Sequence, residues 1–197
     1  LETKTTYGFG ADKNGEIQFT KTIETPRGAK TTTYTDERGR TTSVKQTGDN
    51  TNLWTSYNYD LLGQLIKVTD QNSKNITYSY DGLGRRISEN HPDAGLSNYT
   101  YDEANHLIAF DNPVLRESGH EILYTYNYNQ LTKITYPDHI VKYEYGLPGA
   151  VNNGAGRLIK QTDRTGIQMF KYSRLGQLTE EKRFMIAPNE TAKVFKT

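Results

Sequence analysis

Apolar positions along this chain alternate with polar ones over short runs, and the runs are cut by clusters of Asp, Asn, Gly and Pro. Gln64-Leu65-Ile66-Lys67-Val68-Thr69-Asp70 is the clearest run, and Asp70-Gln71-Asn72-Ser73-Lys74 is the cluster that ends it. Side chains on a strand alternate faces with period two, so the runs predict half-buried strands and the clusters predict turns. Tyr57 and Tyr59, Tyr78 and Tyr80, and Tyr99 and Tyr101 lie two apart and so share a strand face. Helical periodicity is sparse. Phe184-Met185-Ile186-Ala187-Pro188 is too short and is broken by Pro, so no helix is predicted.

The strands recur as a unit. Tyr57-Asn58-Tyr59-Asp60-Leu61-Leu62-Gly63-Gln64-Leu65-Ile66 returns as Tyr78-Ser79-Tyr80-Asp81-Gly82-Leu83-Gly84-Arg85-Arg86-Ile87 and as Tyr99-Thr100-Tyr101-Asp102-Glu103-Ala104-Asn105-His106-Leu107-Ile108. It returns again as Phe170-Lys171-Tyr172-Ser173-Arg174-Leu175-Gly176-Gln177-Leu178. Weaker copies run from Thr33-Tyr34 to Gly39-Arg40 and from Tyr124 to Leu131. In another, Tyr143-Glu144-Tyr145-Gly146 is parted from Gly156-Arg157-Leu158-Ile159 by a Pro/Gly/Asn-rich stretch. Anchored on the second aromatic, the units fall at Tyr34, Tyr59, Tyr80, Tyr101, Tyr126, Tyr145 and Tyr172, spaced by 19 to 27 residues. A degenerate copy begins at Tyr7-Gly8-Phe9-Gly10, with Asn14-Gly15 in its turn.

Within each unit, Asp60, Asp81 and Asp102 are placed to accept hydrogen bonds from the turn backbone. Gly39, Gly63, Gly84, Gly156 and Gly176 supply a positive φ, and Asn105 and Asn129 replace that Gly in two copies. Leu65, Leu107, Leu158 and Leu178 open the returning strand. One unit is thus a β-hairpin with its connector, about 20 to 25 residues, within the range of stacked repeats. A lone hairpin is marginally stable, so the units are expected to stack edge to edge. The expected fold is all-β, tandem hairpins forming one long curved antiparallel sheet. Residues 1–197 then form a single array of about seven to eight hairpins, with an irregular insertion at 146–155 and less regular ends at 1–30 and 183–197.

Composition agrees with this and narrows function. The chain has 197 residues with 15 Tyr, and only 34% of its residues are apolar. Tyr and the abundant Thr suit a pleated, half-buried surface. Lys and Arg total 24 against 23 Asp and Glu, a balance that gives no electrostatic case for a nucleic-acid binder. No apolar run approaches the roughly 20 residues of a membrane helix. Cys is absent, which excludes disulfides, zinc-thiolate sites and cysteine nucleophiles. Leu1-Glu2-Thr3-Lys4 has no basic or apolar leader pattern, and the chain reads as an internal piece of something longer.

The Tyr-Asp-x-x-Gly-Arg/Gln-Leu unit, as at Tyr59 to Leu65, Tyr80 to Arg86 and Tyr172 to Leu178, resembles the RHS repeat, also called the YD repeat. The likeness covers nearly all of the chain and repeats in register. It departs where Ser173 and Gly146 stand in place of Asp, and at the insertion before Gly156. The resemblance implies a non-catalytic segment of a spiralling β-sheet shell that encloses or presents a C-terminal toxin domain, in a secreted or cell-surface protein. Its implied partners are neighbouring repeats of the full-length chain and the enclosed toxin domain. Related repeats form the barrel of animal teneurins, adhesion proteins at the cell surface, and the Tyr array itself offers the alternative, a module binding cell-surface carbohydrate or a protein partner through the Tyr-rich sheet face. No cofactor is implied.

Other motifs read as structure. His91, His106, His120 and His139 lack metal-ligand spacing and are read as turn or surface residues, His106 at a variable polar strand position. The adjacent acids Asp36-Glu37 and Asp102-Glu103 fall in repeat turns, and Glu180-Glu181 point to opposite faces of a strand. Gly82-Leu83-Gly84-Arg85-Arg86-Ile87 lacks the third Gly and the helix of a dinucleotide fingerprint. Asp12-Lys13-Asn14-Gly15-Glu16 lacks ligands of a calcium loop and reads as a β-turn. No Gly-x-Ser-x-Gly supports a serine hydrolase. The Tyr array alone keeps a functional reading, as a stacking surface, beside its reading as the packing ladder of the hairpins.

Overall fold

Alternation and turn chemistry build the chain almost entirely from β-hairpins. The computed structural model describes residues 2–48, 51–185 and 193–196. The chain divides into two compact units, Leu1–Ser97 and Asn98–Thr197, described here in turn.

The first unit holds β1 (Lys4–Ala11), β2 (Ile17–Glu24), β3 (Lys30–Thr35), β4 (Thr41–Gly48), β5 (Thr51–Tyr59), β6 (Leu65–Thr69), β7 (Asn75–Tyr80) and β8 (Arg86–His91). Each strand from β1 to β7 pairs antiparallel with the next in sequence. Register assigns the faces. One carries Phe19, Val44, Tyr57, Val68 and Ile76, because Tyr57 lies opposite Val68 and Val68 opposite Ile76. The other carries Thr20, Tyr34, Ser43 and Ser56, which follow one another across β2 to β5. Tyr34 and Ser43 are buried there, and Trp54 lies against Tyr34 with ring centroids 5.4 Å apart.

The strand β9 (Gly95–Tyr101) runs into the second unit, which continues with β10 (Leu107–Asp111), β11 (Ile122–Asn127), β12 (Gln130–Thr135), β13 (Ile140–Tyr145), β14 (Leu158–Asp163), β15 (Gly166–Tyr172), β16 (Leu178–Met185) and β17 (Lys193–Lys196). Pairing is again antiparallel and sequential. Tyr124, Ile134 and Val141 lie opposite one another across β11 to β13, and Ile134 and Val141 are buried. With Tyr34 they are the buried large apolar residues among those described, a small core consistent with single layers of sheet.

The all-β, antiparallel hairpin class expected from the sequence is what the structure has. One element was not expected. A single-turn helix α1 (Pro113–Glu117) links β10 to β11, capped by the Asn112 side chain accepting from the Leu115 N–H, with Pro113 at its first turn. Asn followed by Pro is a helix-start signal, but five residues are too few to show helical periodicity. The stretch Ile186–Pro188, judged unable to form a helix, lies outside the described residues.

Candidate functional site

The recurrent feature of the molecule is the motif turn and what it holds. In each regular turn the Asp carboxylate faces inward over the loop. Asp81 Oδ1 accepts from the N–H of Leu83 and of Arg85, both at 2.9 Å, and Asp36 Oδ1 does the same with Arg38 and Arg40. The backbone closes behind it: Asp81 N–H donates to the Arg85 carbonyl, and Gly84 N–H to the Asp81 carbonyl, both at 3.0 Å. That closure needs a left-handed residue three places after the Asp. Gly63 (φ 86°) and Gly84 (φ 81°) supply it as expected, and Asn105 (φ 67°) replaces Gly in one copy. In the copy at Asn129 the turn is one residue shorter, Asn127 lies opposite Gln130, and the left-handed residue is Tyr128 (φ 50°) rather than Asn129.

The residue after the Gly closes the turn a second time. Arg40 Nε and Arg85 Nε donate to Oδ2 of Asp36 and Asp81, at 2.8 and 2.6 Å, and His106 Nδ1 lies 2.9 Å from Asp102 Oδ2. The carboxylates stay ionised below their ordinary range. Asp81 is lowered chiefly by the backbone N–H of Arg85, aided by the Arg85 side chain. For Asp36 and Asp102, partial burial pushes upward, but the backbone and side-chain hydrogen bonds from Arg40 and His106 prevail.

The same cationic or polar side chain then reaches the next repeat. Arg40 lies 4.8 Å from the ring centroid of Tyr59, Arg157 lies 5.7 Å from that of Tyr172, and His106 stacks on Tyr126 at 4.4 Å. The Tyr hydroxyl completes the link. Tyr59 donates to the Thr41 carbonyl at 2.8 Å, Tyr80 to Leu65 at 2.8 Å and Tyr172 to Leu158 at 2.6 Å. In all three the acceptor is the second residue after the turn Gly of the preceding repeat. Each link therefore joins one repeat's strand to the last repeat's turn.

Register places the other motif residues around this clamp. Tyr59 faces Leu65, Tyr101 faces Leu107, Tyr145 faces Leu158 and Tyr172 faces Leu178, each beside a one-residue bulge. In the repeat ending at Gly39 the bulge-side residue is Thr35, opposite Thr41, so Thr35 and not Tyr34 stands where Tyr59 does. Tyr34 is displaced by one residue and points to the other face, which is why it packs with Trp54. The insertion keeps the backbone closure of the turn without its carboxylate, and Arg157 donates to the Asn153 carbonyl instead. Gly146 takes the Asp position, donating to the Arg157 carbonyl at 2.9 Å and accepting from Gly156 at 2.7 Å, so the extra residues are looped out between them.

The Arg/Gln position after the Gly is part of the motif, but its reach was not legible: Arg40, Arg157 and His106 pack on Tyr59, Tyr172 and Tyr126 of the next repeat, so His106, at a variable polar strand position, is also a clamp member. Glu180 and Glu181 do divide between faces: Glu180 pairs with Lys171 and Lys182, whereas Glu181 bonds Gln168. Asp12 accepts from Asn14 and Glu16 as a turn residue. Among the described residues no group of three or more His, Asp or Glu side chains gathers, and no helix is long and apolar enough to cross a membrane.

Fold and clamp together define a tandem β-hairpin repeat protein. Residues 59–96 match the family model of the RHS Repeat. The crystal structure of TcdB2-TccC3-TEV superposes with a TM-score of 0.66 at 14% identity, over 96% of this chain and 12% of that one. TcdB2-TccC3 gives 0.65 at 16% identity over the same shares. At such identities the likeness is one of fold, and this chain spans only that small part of the solved chains. No curated protein matches the sequence.

Proposed function

We propose that this chain is a non-catalytic wall segment of an RHS shell that encloses or presents a C-terminal toxin domain. The observation that carries the reading is the clamp. The motif side chains are engaged in joining each repeat to the one before, through Tyr59 to Thr41, Tyr80 to Leu65 and Tyr172 to Leu158, so they serve to build wall. The resemblance to RHS repeats of bacterial toxins supplies the cargo, and one similar solved structure is described as TcdB2-TccC3 without its hypervariable C-terminal region. The hydroxyls of Tyr59, Tyr80 and Tyr172 are donated to backbone carbonyls, which favours wall-building over glycan binding at these positions.

Limited proteolysis of the full-length gene product tests this. The segment following the repeats is expected to resist cleavage until the repeats themselves are cut. Its release at the rate of an exposed tail, or turnover of a substrate by the repeats alone, would overturn the reading.

A further inference from the structure

The insertion at 146–155 is a departure from the repeat that the wall role does not use. It is not a slack loop. Asn153 Nδ2 donates to the Tyr172 carbonyl at 2.9 Å, Arg157 Nη1 to the Asn153 carbonyl at 2.8 Å, and Gly146 bridges to Ala155. Gly154 presses on Ile159 so closely that a Cβ there would collide with its side chain. Asn152 (φ 58°) and Asn153 (φ 55°) both hold left-handed backbone. This anchored turn nonetheless holds Val151 out at 80% exposure.

Between the turn and the sheet lies a cavity of about 380 Å³, within the roughly 300–1,000 Å³ of small-molecule sites. Ala150 and Val151 form one wall, and Ile159, Met169 and Phe184 line the sheet side. The charges around it follow from register. Glu144 lies opposite Lys160, Lys160 opposite Met169, and Met169 opposite Lys182, so an apolar residue is flanked by two ammonium groups on adjacent strands. Lys160 bonds Glu144 at 2.8 Å, while the Glu180 carboxylate is shared by Lys171 at 3.0 Å and Lys182 at 2.7 Å. Among the described side chains around the cavity three lysines thus meet two glutamates, an excess of one positive charge beside an apolar floor.

We infer that this cavity binds an amphipathic monocarboxylate, its hydrocarbon body on Val151, Ile159, Met169 and Phe184 and its carboxylate at Lys160 and Lys182. The apolar lining gives affinity, and the excess ammonium charge selects the sign of the head group.

Calorimetric titration with decanoate, decanol and decyltrimethylammonium tests it. Decanoate is expected to bind at least tenfold more tightly than either of the others. Lys182→Gln should erase that advantage while leaving decanol binding unchanged, and Met169→Glu should abolish binding of both. Circular dichroism of each variant verifies that it is folded, and Lys182→Gln, at a partly exposed site, carries the test if Met169→Glu does not fold. Equal affinity for decanoate and decanol, absence of decanoate binding, or binding that survives both substitutions would overturn the assignment.

Discussion

Tyr59 is fixed at three points: its ring faces Arg40 at 4.8 Å, its hydroxyl donates to Thr41, and across the ladder it faces Leu65. Tyr59→Phe keeps the ring contacts and orphans the Thr41 carbonyl, so stability should fall by about 1 kcal/mol, measured by urea unfolding. The Asp residues add a pH dependence. Asp36 and Asp81 have lowered pKa values when folded, so their stabilisation is complete above the unfolded value and is lost as pH falls through the folded one. The melting temperature should therefore drop below about pH 4, and an Asp36→Asn, Asp81→Asn double variant should show a shallower acid dependence from a lower starting point. At this scale the sequence was legible where chemistry is local. An Asp three residues before a Gly announces its own turn. The carbonyl that receives a Tyr hydroxyl lies 14 to 18 positions earlier, and only the fold brings it there. Tyr34 was misaligned for the same reason, since a one-residue offset is invisible until pairing sets the face.

Hairpins are the elements, and turn and ladder limit their stability separately. Gly63→Ala forces a Cβ into left-handed backbone at φ 86° and should cost about 1 kcal/mol, with the fold retained. Ile134, buried between Tyr124 and Val141, tests the ladder: Ile134→Ala should cost about 2 kcal/mol or more, read from the same unfolding curves. Strands and most turns were legible because period-two alternation and Gly placement are written in neighbouring residues. The helix α1 was not, because one turn gives no period to detect. The split copy could be aligned from its residues, but the two backbone hydrogen bonds that close it across the insertion, between residues ten and eleven apart, come only with the fold.

For the whole molecule, the low apolar content follows from the architecture. A single layer of hairpins buries few side chains completely, and of the described large apolar residues only Tyr34, Ile134 and Val141 are buried. Its cohesion comes instead from ladders and clamps repeated along the chain, each reaching back to the previous unit, so the motif residues gain their role from repetition. The central claim is that such repeats are wall and that the cargo lies inside. Cryo-electron microscopy of the full-length gene product tests it most directly. The account predicts that residues 1–197 form part of a hollow β-wall with density for the following segment enclosed by it. Repeats standing as an open sheet, with that segment folded outside, would contradict it.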